Sequence, residues 1–130
     1  MAEVERAVLD TSVLVATGVP ALAGELAVSA ASLAELHFGV LVTDDTQVRA
    51  ARLRRLTLIE HLFTPLAVDG AVARSYGHLA SMVARRGRLA PPRVLDLVVA
   101  ATAHAHDAAL YTRNAEDLRG IEDSLEIVAV

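Results

Sequence analysis

Short apolar runs of strand length alternate along this chain with longer segments whose apolar residues recur at helical spacing. The strand-length runs are residues 6–10, 25–29, 64–68 and 109–112, with a candidate fifth at 125–130. The helix-like segments are 11–17, 29–41, 44–63, 69–86, 94–106 and 114–118. This alternation predicts βαβ units, in which parallel strands form a sheet that helices cover on both faces. The sequence therefore predicts one α/β domain over residues 1–130.

The composition excludes several classes of protein. With 54% hydrophobic residues the chain cannot be a disordered segment. Charged residues interrupt every apolar stretch before it reaches the roughly 20 residues that span a bilayer, and no basic signal peptide opens the chain. There is no cysteine for disulfides or thiolate chemistry, and the five histidines show no metal-ligand spacing. We therefore expect a cytoplasmic protein that has no membrane association.

Oxygen-bearing side chains occur where a parallel sheet binds its ligands, beyond the carboxyl ends of the strands. Asp10 ends the first strand, and Asn114 and Asp117 follow the fourth. Glu35 lies one to two turns into the helix after the second strand, and Asp96 lies in the first turn of a later helix. Four regions that are distant in sequence should therefore bring carboxylate and amide oxygens to one edge of the sheet.

Each of these residues also has a purely structural interpretation. Asp10 and Asn114 could cap the helices that follow them, and Glu35 completes a capping-box pattern with Ser32. Asp96 could be stabilised by the dipole at the start of its helix.

The structural interpretation is weakest for Asp96, because apolar neighbours cover most of the surface of its helix and should partly bury it. A buried carboxylate close to other carboxylates needs a cation among them. Oxygen ligands without histidine or cysteine indicate Mg²⁺, with Mn²⁺ as a second choice. Such a site typically supports the attack of water on a phosphodiester.

Four segments of the chain resemble, in order and spacing, the four motifs of the PIN-domain family, in particular the VapC toxins of bacterial toxin–antitoxin pairs. They are VLDTSVLVA (8–16), SAASLAELHFGV (29–40), RVLDLVVAATA (93–103) and LYTRNAEDL (110–118). The resemblance covers essentially the whole chain. It implies an α/β/α sandwich with a four- or five-stranded parallel sheet and Mg²⁺-dependent endoribonuclease activity on RNA. It also implies inhibition by a VapB-type antitoxin, a homodimer and a toxin–antitoxin hetero-oligomer.

The resemblance also implies roles for individual residues. Asp10, Glu35 and Asp96 would organise the metal, and Ser12 or Thr11 would support the acids by hydrogen bonding, as Thr112 could from the fourth strand. Arg113 could contact phosphate or anchor the acids. The chain departs from the family pattern at Asn114, where many members have a fourth acid, so that either Asn114 or Asp117 completes the site.

All twelve basic residues are arginines, and most fall in two clusters, although the net charge is −4. The cluster that leads into the Asp96 helix is the candidate for binding RNA phosphates, and consists of Arg85, Arg86, Arg88 and Arg93. The other cluster consists of Arg49, Arg52, Arg54 and Arg55. We expect the helix that carries it to face the antitoxin or a second subunit.

A second hypothesis is a PIN-like module that binds RNA or a protein without cleaving it, because Asn114 lacks a charge and the chain is acidic overall. A receiver-type α/β domain would share the acidic edge, but it needs a lysine near the acids and the chain has none. RNA cleavage that EDTA abolishes would distinguish the ribonuclease from the binding module.

Overall fold

A four-stranded parallel sheet forms the centre of the computed structural model, which describes residues 3–87 and 92–130. The strands are β1 (Arg6–Leu9), β2 (Glu25–Ala27), β3 (Ala109–Thr112) and β4 (Ile127–Ala129), in the order β2-β1-β3-β4. Every neighbouring pair is parallel, so the predicted α/β class and parallel sheet are confirmed. The central strands β1 and β3 are distant in sequence, and their carboxyl ends lie side by side.

Five α-helices and one short 3₁₀ helix connect the described strands. They are α1 (Thr11–Leu14), α2 (Ala30–Val42), α3 (Thr46–Leu62), α4 (Gly70–Arg85) and α5 (Val94–Ala105), with the 3₁₀ helix at Ala115–Leu118. The predicted helices are found within a few residues of their expected bounds, and α1 is the one that is clearly shorter than expected. Within the described ranges, none of these helices has both the length and the apolar character needed to traverse a bilayer.

The strand predicted at 64–68 is wrong. This segment makes a single parallel bridge, between Leu66 and Ser29 just beyond the end of β2. Leu66 donates its backbone N–H to Val28 at 2.8 Å and accepts the N–H of Ala30 at 2.9 Å. The neighbouring Pro65 has no N–H to donate, which limits any extension of the ladder. The sheet therefore has four strands, one fewer than the pattern of apolar runs suggested.

Two apolar layers cover the two faces of the sheet, because successive side chains of a strand point to opposite sides. Val8 and Leu110 pack on one face in a cluster with Val72, Leu79 and Val99 of α4 and α5. The opposite face carries a second cluster, which includes Ala7, Leu9, Ala109 and Tyr111 of the strands together with Val13, Leu36, Leu56 and Ile59 of α1, α2 and α3. The α/β/α sandwich is therefore confirmed, with the carboxyl edge of the sheet left open between its layers.

Candidate active site

The predicted site residues meet in one open pocket at the carboxyl edge of β1 and β3. The pocket has a volume of about 440 Å³, and its lining comprises Asp10, Thr11, Ser12, Val15, Glu35, Arg93, Asp96, Arg113, Asn114 and Asp117. All four sequence motifs contribute to it. Among these residues only Val15 was not singled out from the sequence, because its apolar neighbours gave no sign that its side chain would be exposed.

Asp10 is buried, and one of its carboxylate oxygens is held by two hydroxyl groups. Asp10 Oδ2 accepts hydrogen bonds from Ser12 Oγ at 2.6 Å and from Thr112 Oγ1 at 2.9 Å. Ser12 Oγ in turn accepts the backbone N–H of Arg113 at 3.0 Å. Thr112 Oγ1 accepts the N–H of Asn114, also at 3.0 Å. Each hydroxyl therefore has its proton directed at Asp10 Oδ2, and within the described part of the chain Oδ1 receives no hydrogen bond.

The pairing of β1 with β3 explains this arrangement. Leu9 lies opposite Tyr111, and the N–H of Asp10 continues the ladder by donating to the Tyr111 carbonyl at 2.9 Å. The next residue of each strand, Asp10 and Thr112, is therefore brought level at the end of the sheet. Asp10 stands at the N-cap position of α1, but its side chain makes no capping hydrogen bond. The capping interpretation of this carboxylate is therefore wrong.

Glu35 lies across the pocket, and both of its oxygens are engaged. Oε1 accepts a hydrogen bond from Thr11 Oγ1 at 2.9 Å, and Oε2 accepts one from Arg93 Nη2 at 3.0 Å. Thr11 Oγ1 also lies 2.9 Å from Ser32 Oγ. The Glu35 side chain is 13% exposed, whereas that of Arg93 is 73% exposed. The two hydroxyls of the first motif therefore serve different acids, with Ser12 on Asp10 and Thr11 on Glu35.

The capping-box interpretation of Glu35 is wrong, because α2 begins earlier than that pattern requires. The N-cap is Ser29, whose Oγ accepts the N–H of Ala31 at 3.1 Å. Glu35 consequently lies past the first turn of α2, where its side chain is directed to Thr11 and Arg93.

Asp96 lies in the first turn of α5, and its environment disfavours the charged form. Burial is the main cause that raises the pKa of Asp96 above its usual value. Arg93 opposes this shift, while the negative charges of Asp10, Glu35 and Asp117 add to it. The described residues provide no hydrogen bond to this carboxyl group. A cation in the pocket would relieve both the burial of the charge and its repulsion by the other acids.

Asn114 and Asp117 both reach the pocket from the segment that follows β3. Both are exposed. Asn114 precedes the 3₁₀ helix but makes no side-chain cap, and Asp117 is near enough for its charge to act on Asp96. The structure therefore brings both candidates for the fourth position to the same rim.

The donor set of the pocket suits a hard divalent ion, since it consists of carboxylate, amide and hydroxyl oxygens. Within residues 3–87 and 92–130, however, no three acidic or histidine side chains stand where together they could hold a metal ion. Asp10 Oδ1 and Asp96 are open to a cation, whereas Glu35 is occupied by Thr11 and Arg93. The residues fit the ion by their chemistry, and Glu35 is the acid that would have to change partners.

The arginines expected to bind RNA have different positions. Arg93 lines the pocket itself. Arg86 pairs with Asp123 at 3.1 Å and lines an adjoining hollow of about 570 Å³, which Asp117 also lines. Arg85 is exposed in the last turn of α4, and Arg88 lies outside the described residues.

In the other cluster, three arginines of α3 bind backbone carbonyls at the ends of neighbouring helices, and Arg49 does so by donating from Nη2 to the carbonyl of Thr43, the C-cap residue of α2. Arg55 Nη1 donates to the carbonyls of Leu14 and Ala16 at 2.8 and 3.1 Å, and Arg52 Nη1 donates to that of Gly39 at 2.7 Å. A cation at a helix C-terminus satisfies carbonyls that lack a partner within the helix. Arg55 therefore fixes the end of α1, a role that its sequence position did not indicate.

Comparisons with known proteins point in the same direction. A family model for the PIN domain matches residues 7–122. The chain is 35% identical to ribonuclease VapC4 of Mycobacterium tuberculosis, over 98% of each protein. It is 34% identical to ribonuclease VapC5 of the same organism, over 95% of this chain and 94% of that protein.

Solved structures agree with the sequence relatives. The crystal structure of VapBC-5, a member of the VapBC family of toxin–antitoxin systems from Mycobacterium tuberculosis, gives a TM-score of 0.86 at 34% identity, over 96% of this chain and 98% of that one. The structure of VapBC2 from Rickettsia felis, solved with a DNA fragment from its promoter, gives a TM-score of 0.75 at 20% identity. This match covers 95% of this chain and 98% of that one. At this low identity, the likeness to the Rickettsia felis protein concerns the fold alone.

Proposed function

This chain belongs to the PIN-domain family, and we propose that it is a divalent-metal-dependent endoribonuclease that acts as the toxin of a toxin–antitoxin pair. The observation that carries the proposal is a pocket at the carboxyl edge of the sheet, to which all four sequence motifs contribute oxygen donors. The identity to two ribonucleases over nearly their whole length supports the same activity.

In the proposed mechanism, Asp10 and Asp96 would hold the ion, Glu35 would complete the set, and Asn114 or Asp117 would take the fourth position. Bound there, Mg²⁺ or Mn²⁺ would supply the positive charge needed to polarise the phosphodiester and to offset the charge that develops in the transition state. Ser12 and Thr112 keep Asp10 oriented by donating to Oδ2. Thr11 orients Glu35 in the same way through Oε1.

The RNA substrate would be held through its phosphates at the rim of this pocket. Arg93 and Arg113 are the arginines that line it, and guanidinium groups bind phosphate oxygens with well-defined geometry. Arg86 would extend the contact into the adjoining hollow, and Arg85 and Arg88 complete the proposed RNA-binding set.

A VapB-type antitoxin is the proposed partner, and a groove between α2 and α3 is its proposed binding site. The groove has a volume of about 510 Å³ and shares Thr11, Val15 and Glu35 with the acidic pocket. Phe38 and Val42 line it with side chains that are 67% and 55% exposed. A peptide lying there would cover apolar surface and also block the acids.

The toxin would act in the cytoplasm, where RNA and antitoxin are made. It would act there as a homodimer and would also form a hetero-oligomer with the antitoxin.

Cleavage of a labelled RNA by the purified chain tests the proposal. We expect cleavage in Mg²⁺ or Mn²⁺ and none in EDTA, with Asp10→Asn from the same preparation as the control against a contaminating nuclease. Co-expression with the antitoxin should suppress the growth arrest caused by the chain alone. RNA binding that persists in EDTA, without cleavage under any condition, would instead favour the non-cleaving module.

A further inference from the structure

Arg93 is placed where it can compete with a metal ion. It is the N-cap residue of α5, three positions before Asp96, and its Nη2 donates to Glu35 Oε2 at 3.0 Å. Its charge also acts on Asp96, where it favours the ionised carboxylate against the effects of burial and of the neighbouring acids. A single side chain thus provides positive charge to two of the three acids proposed to hold the ion.

The two partners of this ion pair differ in their freedom to move. Glu35 is 13% exposed and is also held by Thr11, whereas Arg93 is 73% exposed. If the pair separates, the guanidinium of Arg93 can be solvated at once, while the Glu35 carboxylate stays in the pocket and needs another cation. The contact is therefore easily broken from the arginine side, and only an ion in the pocket makes that separation favourable.

We propose that Arg93 is a built-in competitor of the divalent ion: it neutralises Glu35 while the site is metal-free and releases Oε2 when the ion binds. This inference rests on the proposed function, because it assumes that the acids take a divalent ion. It explains why the described acids do not already form a metal-binding arrangement although their chemistry suits one. The released guanidinium is then free to contact a phosphate of the RNA.

Mn²⁺ titration of the RNA-free protein, followed by calorimetry, tests the competition. Because one partner is exposed, the pair should be of modest strength, and Arg93→Gln should bind Mn²⁺ about fivefold more tightly than the wild type. Arg113→Gln is the matched control, since it removes an arginine from the same pocket, and should change the affinity less than about twofold. In a Glu35→Gln background, most of the gain from Arg93→Gln should disappear.

Two results would overturn the competition: equal gains from Arg93→Gln and Arg113→Gln, or a gain that persists unchanged in Glu35→Gln. Thermal melting in EDTA gives a readout without metal, and there the effects of Arg93→Gln and Glu35→Gln should be non-additive; strict additivity would contradict the contact. If the wild type binds no Mn²⁺ at all, the metal site of the proposed function fails along with the competition. If it binds Mn²⁺ but the coupling is absent, the competition alone fails.

Discussion

Asp10 and Glu35 are both held by hydrogen bonds in the same pocket, but by groups of different charge. Asp10 is oriented by the neutral hydroxyls of Ser12 and Thr112, which leave its negative charge in place. Glu35 is held by one hydroxyl, from Thr11, and by the guanidinium of Arg93, which cancels its charge. In the proposed mechanism, the Asp10 side is therefore organised in advance for a cation, whereas the Glu35 side becomes available only when a metal ion replaces the guanidinium of Arg93. The comparison predicts that changes on the two sides will have unequal effects.

The largest difference is expected between the acids themselves. Asp10→Asn should reduce RNA cleavage about a thousandfold, because it removes a preoriented charged ligand worth several kcal/mol in the transition state. Glu35→Gln should reduce RNA cleavage by only about a hundredfold, since Asp10 and Asp96 remain to bind the ion. Single-turnover cleavage rates at saturating Mg²⁺ measure both. Equal losses, or an Asp10→Asn protein within tenfold of the wild type, would contradict the distinction.

Removal of a hydroxyl on the Asp10 side should give the next largest effect. Thr112→Val deletes a buried donor to Oδ2 and should lower cleavage about 10- to 100-fold, as changes to groups that orient metal ligands do. Thr102→Val is the matched control, because Thr102 is equally buried in α5 but bonds Ser29 and the Val98 carbonyl instead. If both variants lose activity in proportion to their loss of melting temperature, the role of Thr112 is only structural.

The corresponding change on the Glu35 side should matter less. Thr11→Val removes one hydrogen bond to Oε1, and we expect cleavage to fall about fivefold, the equivalent of about 1 kcal/mol. The bound ion would still constrain the Glu35 carboxylate. Cleavage rates of Thr11→Val and Thr112→Val, measured under the same conditions, provide the comparison. A larger loss of cleavage in Thr11→Val than in Thr112→Val would contradict the expected order.

Variants at the rim of the pocket test whether Asp117 or Asn114 provides the fourth oxygen donor. Asp117→Asn should weaken Mn²⁺ binding about threefold, because its charge acts on Asp96 next to the Asp10 side, and Asn114→Ala should weaken it less. Calorimetric titration of both variants measures the difference. A greater loss in Asn114→Ala would assign the fourth position to the amide.

The smallest effect concerns stability without metal. Because burial and three neighbouring acids raise the pKa of Asp96 in the folded state, ionisation of this carboxyl group destabilises the fold. The cost is absent below the usual value of 3.8, grows as the pH rises through the raised pKa and is complete above it. Asp96→Asn should therefore melt a few degrees higher than the wild type in EDTA at neutral pH, and the difference should vanish in acid. An unchanged or lower melting temperature at neutral pH would be inconsistent with this account.

Much of the site follows from the sequence because the carboxyl ends of parallel strands meet at one edge. Asp10 and the residues after β3 had to approach one another once β1 and β3 became neighbours. The partners of individual side chains could not be predicted in this way. Thr11 and Ser12 are adjacent in sequence but point to different acids, and the contact of Arg93 with Glu35 depends on how α5 and α2 pack.

The errors in the fold have local causes. The 64–68 run has the composition of a strand, but Pro65 and the position beyond the end of β2 reduce it to one bridge. The capping box was inferred from residue types alone, whereas the position where α2 begins is determined by Ser29, whose side chain also bonds Thr102 in the core.

The position of β3 in the sheet has a consequence for the synthesis of the chain. Asp10 leaves the ribosome long before Thr112, which lies 102 residues later, and β3 must pair with β1 before the hydroxyl reaches the acid. A nascent chain therefore carries the first acids of the pocket without Thr112, one of the two hydroxyl donors to Asp10, and without the residues that close the rim. For a protein that cuts RNA, we expect this order of events to delay activity until translation of the domain is nearly finished.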